Sequence, residues 1–375
     1  MAPVPQRIPA ADNLAGATHV HRFHMMTTLA TSRHAGRTLW QNIGLPVLAI
    51  AAALCAGALL LAATGFNVVA AYSALWQGIF GNPRNIAEAM LRATPLILVG
   101  TGIAIAFRCG IWNIGAEGQF YMGAAAGAFI GLRFGNLPPL LAIGLALLAG
   151  VVAGGAWAGL AGWLKVRLGL NEVVTTIMLN YIAIGIVSYL VTGPWQEAAH
   201  YNPQTDEIAA ALVLPRLWPP ARVHAGFLIA LIVPLLASIL LFRTPWGYAL
   251  RAVGLNPQAA KHAGINVNRQ YVLAMWLSGG AAGLAGAIEI FGVIGRLYEN
   301  ISPGYGFTGI AVSLLANNNP LGTIVSGLLF GALTTGSEMM QLTAKIPSSM
   351  TFILQGLIVV FLVAFRALSS RSGNR

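Results

Sequence analysis

The sequence predicts an all-α membrane protein with about ten transmembrane or re-entrant helices. Of its 375 residues, 57% are apolar and only 8% are charged, and 44 are glycine. This composition is too hydrophobic for a soluble domain. Long apolar runs, most of them near the roughly 20 residues that cross a bilayer, alternate with short polar stretches. A polytopic membrane protein follows from these two observations.

The apolar runs define the predicted helices in order. The first run is interpreted as an uncleaved anchor, because the residues before it contain no signal-peptide hydrophobic region. The run at 304–316 is too short to cross unaided and is interpreted as re-entrant. The run at 112–132 opens with polar and glycine residues, which favours a broken helix. The complete set is 43–63, 86–107, 112–132, 138–164, 173–193, 225–242, 270–295, 304–316, 321–341 and 349–367.

Two glycine-rich stretches five segments apart indicate an internal 5+5 repeat. One begins at Arg108 and continues through the Trp112–Gly118 motif, and the other runs from Arg296 to Ser313. An odd offset would give the two copies inverted topology, with broken helices meeting near a transport pathway. A chance echo between glycine-rich segments is the alternative.

Basic residues predict that both termini are cytoplasmic. With ten segments and a cytoplasmic N-terminus, fourteen of the 21 Lys and Arg residues fall in inside loops, as the positive-inside rule requires. The predicted organisation is a polar cytoplasmic tail at 1–40, a transmembrane domain at 41–367 with a cytoplasmic loop at 244–269, and a cytoplasmic tail at 368–375. The net charge of +11 follows from these loops, so no nucleic-acid partner is expected.

The polar segment from Thr244 to Gln270 predicts two short helices joined at Gly254. Asn256 suits the N-cap of the second helix, Pro257 its first position and Gly264 its end. A helix of about seven residues is unstable alone in water, so we interpret it as a docking helix for a cytoplasmic partner. The coupling residues on this interpretation are Arg251, Gly254, Asn256, Pro257, Ala260, Lys261 and Gly264.

Catalytic and cofactor motifs are missing from the sequence. No GxxxxGK[ST] phosphate loop occurs, since none of the lysines follows a glycine, and there is no HExxH, GxSxG or Cys/His cluster. Cys55 and Cys109 lie in or beside apolar runs and are interpreted as small buried hydrophobic residues. The chain is therefore predicted to be non-catalytic and to need no cofactor, and any ATP hydrolysis must come from a separate subunit.

Polar residues inside the apolar runs are the candidates for a translocation pathway. Glu117 either contributes to that pathway or caps a helix N-terminus at the membrane interface, with Arg108 as its natural partner. Thr176 and Asn180, four residues apart, either bind a neighbouring helix or contact a polar solute. The candidate pathway residues are Asn113, Glu117, Gln119, Thr176, Asn180, Glu289, Tyr305 and Phe307.

Four segments resemble permease subunits of bacterial ABC importers, in the branch that serves nucleosides and simple sugars and is related to branched-chain amino acid permeases. The resemblance spans about residues 40–367, and the first forty residues depart from it. Three specific motifs carry it, with a looser fourth: WNIGAEGQ at 112–119, NEVVTTIMLNYIA at 171–183, ALRAVGLNPQAAKHAGINV at 249–267 and GFTGIAVSLLANNNPLG at 306–322.

This resemblance implies a role and a set of partners. The 249–267 loop would be the coupling helix that docks on a cytoplasmic ABC ATPase subunit. The permease would pair with a second, homologous permease in the lipid bilayer of the inner membrane, and an extracytoplasmic lipoprotein would deliver the solute. The solute class implied is a nucleoside, with simple sugars and branched-chain amino acids as alternatives.

A self-sufficient transporter of another class is the competing hypothesis. It would be driven by protons or sodium through intramembrane acids such as Glu117, Glu289 or Glu338. That hypothesis leaves the short helix from Asn256 to Gly264 without a purpose.

Overall fold

The computed structural model describes residues 44–219, 221–347 and 349–372, and this part of the chain is helical apart from its connections. The predicted tail at 1–40 lies outside the described residues, as does the end of the chain from 373 onward. The helices are α1 Leu45–Ala63, α2 Val68–Phe80, α3 Pro83–Arg108, α4 Ala116–Arg133, α5 Pro139–Leu168, α6 Glu172–Thr192, α7 Gly226–Arg243, α8 Pro245–Leu255, α9 Pro257–His262, α10 Val267–Glu289, α11 Tyr305–Leu315, α12 Gly322–Ala344 and α13 Ser349–Ser372.

Each of the ten predicted apolar segments coincides with a helix, whereas α2 was not predicted. Within the described residues, six helices are long and apolar enough to cross a membrane: α1, α3, α5, α6, α7 and α10 with its extension to Ile294. At 13 residues, α2 falls below the length that the prediction required. It forms because one face is buried on α12, where a Cβ on Gly78 would lie 2.8 Å from the Cα of Gly336.

The interior of the molecule is built around α3 and α10, most of whose residues are buried, whereas only about a third or less of the apolar windows of α1, α5, α6 and α7 is buried. Small residues permit this packing, because they let helix backbones approach closely. A Cβ added to Gly123 of α4 would lie 2.2 Å from the Cα of Gly283 on α10. A substitution there would force the two helices apart.

The two ends of the molecule have different structures. At one end, here named the α9 end, α8 and α9 connect α7 to α10. At the opposite end, the long connection between α6 and α7 packs on the chain that follows α10. Its backbone there donates hydrogen bonds from Thr205 to Leu297 (2.8 Å) and from Leu214 to Phe291 (2.7 Å). The turn that follows α10, Ile290–Ile294, has π-helical geometry beside this contact.

Two segments, here called the broken crossings, each consist of a non-helical stretch followed by a helix, and they run in opposite directions. Residues 109–115 leave the α9 end without forming a helix, and α4 then runs to the opposite end, where Gly131 meets Ile208. Residues 295–304 enter from the opposite end, and α11 then runs back to the α9 end. The starts of α4 and α11 meet inside the molecule, where the Gly306 N–H donates to Glu117.

Candidate functional site

The α8–α9 pair is the first candidate site. The Thr244 hydroxyl accepts the Gly247 N–H and begins α8, and the Asn256 side chain accepts the N–H groups of Gln258 and Ala259 to begin α9. Gly264 ends the segment with φ +80°. The helices join at Asn256 rather than at the predicted Gly254, because a helix can include glycine but must stop before the extended backbone that the N-cap requires.

Three of the predicted coupling residues face inward. The Arg251 Nε donates to the Leu241 carbonyl oxygen at 2.9 Å, and its guanidinium lies 5.3 Å from the Phe242 ring centre. A Cβ on Gly254 would lie 2.1 Å from the Arg108 carbonyl oxygen, so α8 is in close contact with the end of α3. Ala260 is buried. These three residues fix the position of the pair on the transmembrane helices.

The remaining predicted coupling residues, Asn256, Pro257, Lys261 and Gly264, are exposed. The first three lie on an exposed surface, here named the docking surface, which consists of Leu255, Asn256, Pro257, Gln258, Ala259 and Lys261. Leu255 is 89% exposed. Beside the docking surface, a cleft of about 390 Å³ is lined by residues of α9 and the start of α10, including Pro257, Lys261 and Gly264. The docking surface is thus exposed on a helix pair that contacts the transmembrane helices through Arg251, Gly254 and Ala260.

The second candidate site is the polar cluster at the start of α4. Asn113 and Gln119 exchange two side-chain hydrogen bonds of 2.8 Å, and the Asn113 amide also donates to the Ser278 hydroxyl of α10 at 2.8 Å. Both side chains are fully buried. Their bonds compensate for the backbone hydrogen bonds that the break in this crossing removes.

Asn180 of α6 supports the same break from the other side. Its side-chain oxygen accepts the Gly118 N–H at 2.8 Å, and its side-chain amide nitrogen donates to the Ile114 carbonyl oxygen at 3.0 Å. Thr176 donates its hydroxyl within α6, to the carbonyls of Glu172 and Val173. The contacts of both residues are therefore to protein.

Glu117 is buried and joins the two broken crossings. Its carboxylate accepts the Gly306 N–H at 2.6 Å, so it caps the first turn of α11 rather than its own helix. The Ser302 hydroxyl accepts the neighbouring N–H groups of Gly304 and Tyr305. The positive end of the α11 dipole favours a carboxylate at this position.

The predicted partnership of Glu117 with Arg108 is wrong. Arg108 donates to the carbonyls of Asn318 (2.8 Å) and Asn317 (3.1 Å) in the turn after α11. The non-helical residues 109–115 separate Arg108 from the start of α4, so the guanidinium remains at the α9 end. Sequence proximity suggested the pair, and the extended path of residues 111–115 separates the two groups.

Glu289 and Tyr305 line a cavity of about 390 Å³ toward the opposite end. Ser302, which bonds to the start of α11, lines the same cavity and so links it to the region of Glu117. Phe307 is 51% exposed and, within the described residues, is not part of this lining. The structure therefore groups Glu289 with Tyr305, groups Asn113, Gln119 and Asn180 around the α4 break, and separates Phe307 from both.

Charged residues that the sequence reasoning did not single out as a site also line this cavity. They are Glu88 and Arg92 of α3 and Arg222 before α7. Arg92 lies within the predicted apolar segment 86–107, about a third of the way into α3. The signal that could have identified it is the rule that a charge within an apolar helix has a partner elsewhere in the membrane domain.

Comparison with known proteins identifies the family. Residues 85–363 match the family described as "Branched-chain amino acid transport system / permease component". The chain belongs to this permease family. Its relatives include the guanosine ABC transporter permease protein NupP of Bacillus subtilis (strain 168), which is 35% identical over 326 residues, covering 86% of this chain and 93% of that protein.

Two further relatives have similar coverage. The glucose ABC transporter permease protein TsgB13 of Haloferax volcanii is 34% identical over 334 residues, covering 86% of this chain and 88% of that protein. The nucleoside ABC transporter permease protein NupB of Lactococcus lactis subsp. cremoris (strain MG1363) is 32% identical over 331 residues, covering 86% and 91%. The chain is thus a multi-pass membrane permease subunit of an ABC transporter, as its motifs predicted.

Proposed function

We propose that this permease is a subunit of an ABC importer and translocates an uncharged polar solute, most simply a nucleoside, across the inner membrane. The observation that carries the proposal is the docking surface on α8 and α9, which the partly buried Arg251 and Gly254 and the buried Ala260 hold against the transmembrane helices. Force applied to this pair by a partner would be transmitted to α3 and α7. An ion-coupled transporter has no use for such a surface.

The pathway is proposed to follow the polar groups in the interior. A solute would enter the cavity beside Glu289 and Tyr305 and approach the start of α11 at Ser302. Passage toward the α9 end requires movement at the contact between Glu117 and Gly306. Asn113, Gln119, Thr176 and Asn180 bond to protein groups in this structure and would support that contact, with Phe307 facing outward.

The topology proposed is ten transmembrane or re-entrant segments in a 5+5 inverted repeat with both termini cytoplasmic. The opposite directions of the broken crossings that lead into α4 and α11 support this arrangement. The domain organisation is proposed as a tail at 1–40, a permease domain at 41–367 and a tail at 368–375. The coupling loop at 244–269 then lies in the cytoplasm.

The partners proposed are a cytoplasmic ABC ATPase, a second homologous permease and an extracytoplasmic substrate-binding lipoprotein. No catalysis is assigned to the permease itself, and ATP hydrolysis belongs to the ATPase subunit. Guanosine and nucleosides appear in the printed names of two relatives, which supports the nucleoside assignment. The glucose permease relative makes a simple sugar the second candidate.

Uptake measurement tests the solute assignment. Cells that express the complete transporter, and matched cells in which this permease alone is deleted, are given labelled guanosine, uridine, glucose or leucine. Permease-dependent uptake of the nucleosides is expected. Uptake of glucose alone would replace the nucleoside assignment with the sugar one, and uptake of leucine alone would contradict the proposal of an uncharged solute.

A further inference from the structure

Four charged residues form a connected set of ion pairs toward the end opposite α9. The Arg92 guanidinium of α3 lies 2.7 Å from the Glu338 carboxylate of α12 and 3.6 Å from Glu88 one turn earlier. Arg222, which precedes α7, lies 2.8 Å from the same Glu88 oxygen. The set therefore connects α3, α12 and the entrance to α7, three parts of the chain that are far apart in sequence.

This ion-pair set lies between two cavities. The first, of about 390 Å³, is lined by Glu88, Arg222 and Glu289 among others. The second, of about 240 Å³, is lined by α11, α12 and α13, through residues that include Thr308, Thr334 and Gln355. Arg92, Pro303 and Tyr305 line both cavities. These three residues are accordingly the partition between the two spaces.

Taken singly, the two cavities are small in comparison with typical small-molecule sites. Small-molecule sites usually occupy about 300–1,000 Å³. The second cavity alone is below that range, and the first is near its lower limit. Joined by a displacement of Arg92, the two spaces lie well within it.

The charges around the cavities indicate the class of ligand. Glu88, Arg92, Arg222 and Glu338 pair with one another, so a charged solute would have to compete with an existing partner. Glu289 differs from these four residues. Its side chain is buried, with an exposure of 7%, and among the described residues no basic group lies within ion-pair distance of its carboxylate. A buried acceptor that faces a cavity is suited to the O–H or N–H donors of a neutral solute.

We propose that the two cavities are one binding vestibule for an uncharged polar solute, and that the Arg92–Glu338 salt bridge divides and closes it. This inference rests on the proposed transport function and adds the residues that control entry. Glu289 accepts hydrogen bonds from the solute, and Tyr298 and Tyr305 provide aromatic surfaces for a ring. Arg92 is a positioning residue that separates the cavities until the solute displaces it.

The salt bridge has the properties of a closure that can open. The Glu338 side chain is 50% exposed, and ion pairs of this kind are only weakly stabilising. The buried Nε of Arg92 has no hydrogen-bond partner in the described residues, so the guanidinium is only partly satisfied in its present position. A second position that engages this donor would gain a hydrogen bond that the present position lacks.

Cysteine labelling of the complete transporter tests the vestibule. In a background with Cys55→Ala and Cys109→Ala, Thr308→Cys reports access to the second cavity through its rate of reaction with a membrane-impermeant maleimide. Glu338→Gln is expected to raise that rate about fivefold, because it removes the partner that holds Arg92. The exchanged pair Arg92→Glu with Glu338→Arg is expected to restore the slow rate. Tyr201→Cys, at an 87% exposed position, is the control and should label at the same rate in every background.

Protection by solutes tests the ligand class in the same samples. Guanosine and glucose are added to the Glu338→Gln protein, alongside adenosine monophosphate as a charged comparison. Slower labelling of Thr308→Cys with an uncharged solute supports the proposal. Protection by the charged solute alone, or by none of the three, overturns the binding claim, and an unchanged labelling rate in Glu338→Gln overturns the closure. Neither readout requires ATP, so loss of coupling to an ATPase would contradict the proposed function without affecting this test.

Discussion

At the residue scale, the buried polar groups around the break before α4 are satisfied by specific protein contacts. Glu117 caps α11, and Asn180 bonds to both sides of the break before α4. The sequence was sufficient to identify these residues, because amides and acids are rare inside apolar segments. It could not identify their partners, since Glu117 and Gly306 are 189 positions apart. The Arg92–Glu338 pair could not be identified for the same reason, since these residues are 246 positions apart.

Substitution of Glu117 separates a capping role from a role that needs its charge. Glu117→Gln keeps an oxygen that accepts the Gly306 N–H, so we expect transport within about threefold of the native rate and little change in thermal stability. Glu117→Ala leaves that N–H unsatisfied, at a cost of about 1–3 kcal/mol in the free energy of unfolding. Uptake and melting temperature of both variants provide the measurement. Complete loss of uptake in a stable Glu117→Gln protein would show that the carboxylate acts in the pathway.

His224 gives the structure a defined pH dependence. It lies before α7, its Nδ1 accepts the Gly226 N–H, and burial lowers the pKa of its ring from 6.5 to about 4. Since the unfolded chain binds the proton more readily, this stability is present above pH 6.5 and is lost as the pH falls from 6.5 toward 4. The full loss would be about 3 kcal/mol at pH values below 4.

A variant that cannot titrate isolates this effect. His224→Asn retains an oxygen that can accept the Gly226 N–H but has no ionisable ring. We expect the melting temperature of the native protein to fall more steeply than that of the variant between pH 7 and pH 5. Parallel curves for the two proteins would contradict the assignment to His224.

At the element scale, regular helices were predictable and irregular ones only in part. The ten apolar segments and the short helix after Asn256 were identified because length, N-cap and terminal glycine are local signals. The helix α2 was missed because it is stabilised by α12 rather than by its own length. The orientation of α8 and α9 also depends on distant contacts, so the sequence could not show that Ala260 faces the interior.

The docking surface is tested by a charge on its exposed side. Ala259→Glu is expected to reduce co-purification of the ATPase subunit and uptake by at least tenfold, because a desolvated charge at an interface without a partner weakens binding by about 1.4 kcal/mol or more. Insertion into the membrane should be unchanged, since Ala259 is exposed. Leu170→Glu is the matched control, as Leu170 is an exposed residue between α5 and α6 outside the docking surface.

The buried neighbour provides the complementary comparison. Ala260→Glu places a carboxylate in the interior and is expected to lower the stability of the permease itself. Equal uptake by the Ala259→Glu and native proteins would show that α9 does not couple transport to a partner.

At the scale of the whole molecule, α3 and α10 form a buried centre around which more exposed helices are arranged. The broken crossings meet beside this centre, the docking surface lies at one end and the cavities lie toward the other. We propose that movement at the α9 end reaches the contact between Glu117 and Gly306 through α3. The ABC permease family that the motifs indicated is consistent with this division of the molecule between a partner surface and a solute space.

The central claim is that this permease operates only as part of an ABC importer. The most direct measurement is gentle purification of the tagged chain from its native membranes, with mass spectrometry of the proteins that accompany it. We predict that a P-loop ATPase and a second permease are present in the purified complex. We predict also that the Ala259→Glu variant purifies without the ATPase. A chain that purifies alone, under conditions that preserve other ABC transporters from the same membranes, would contradict it.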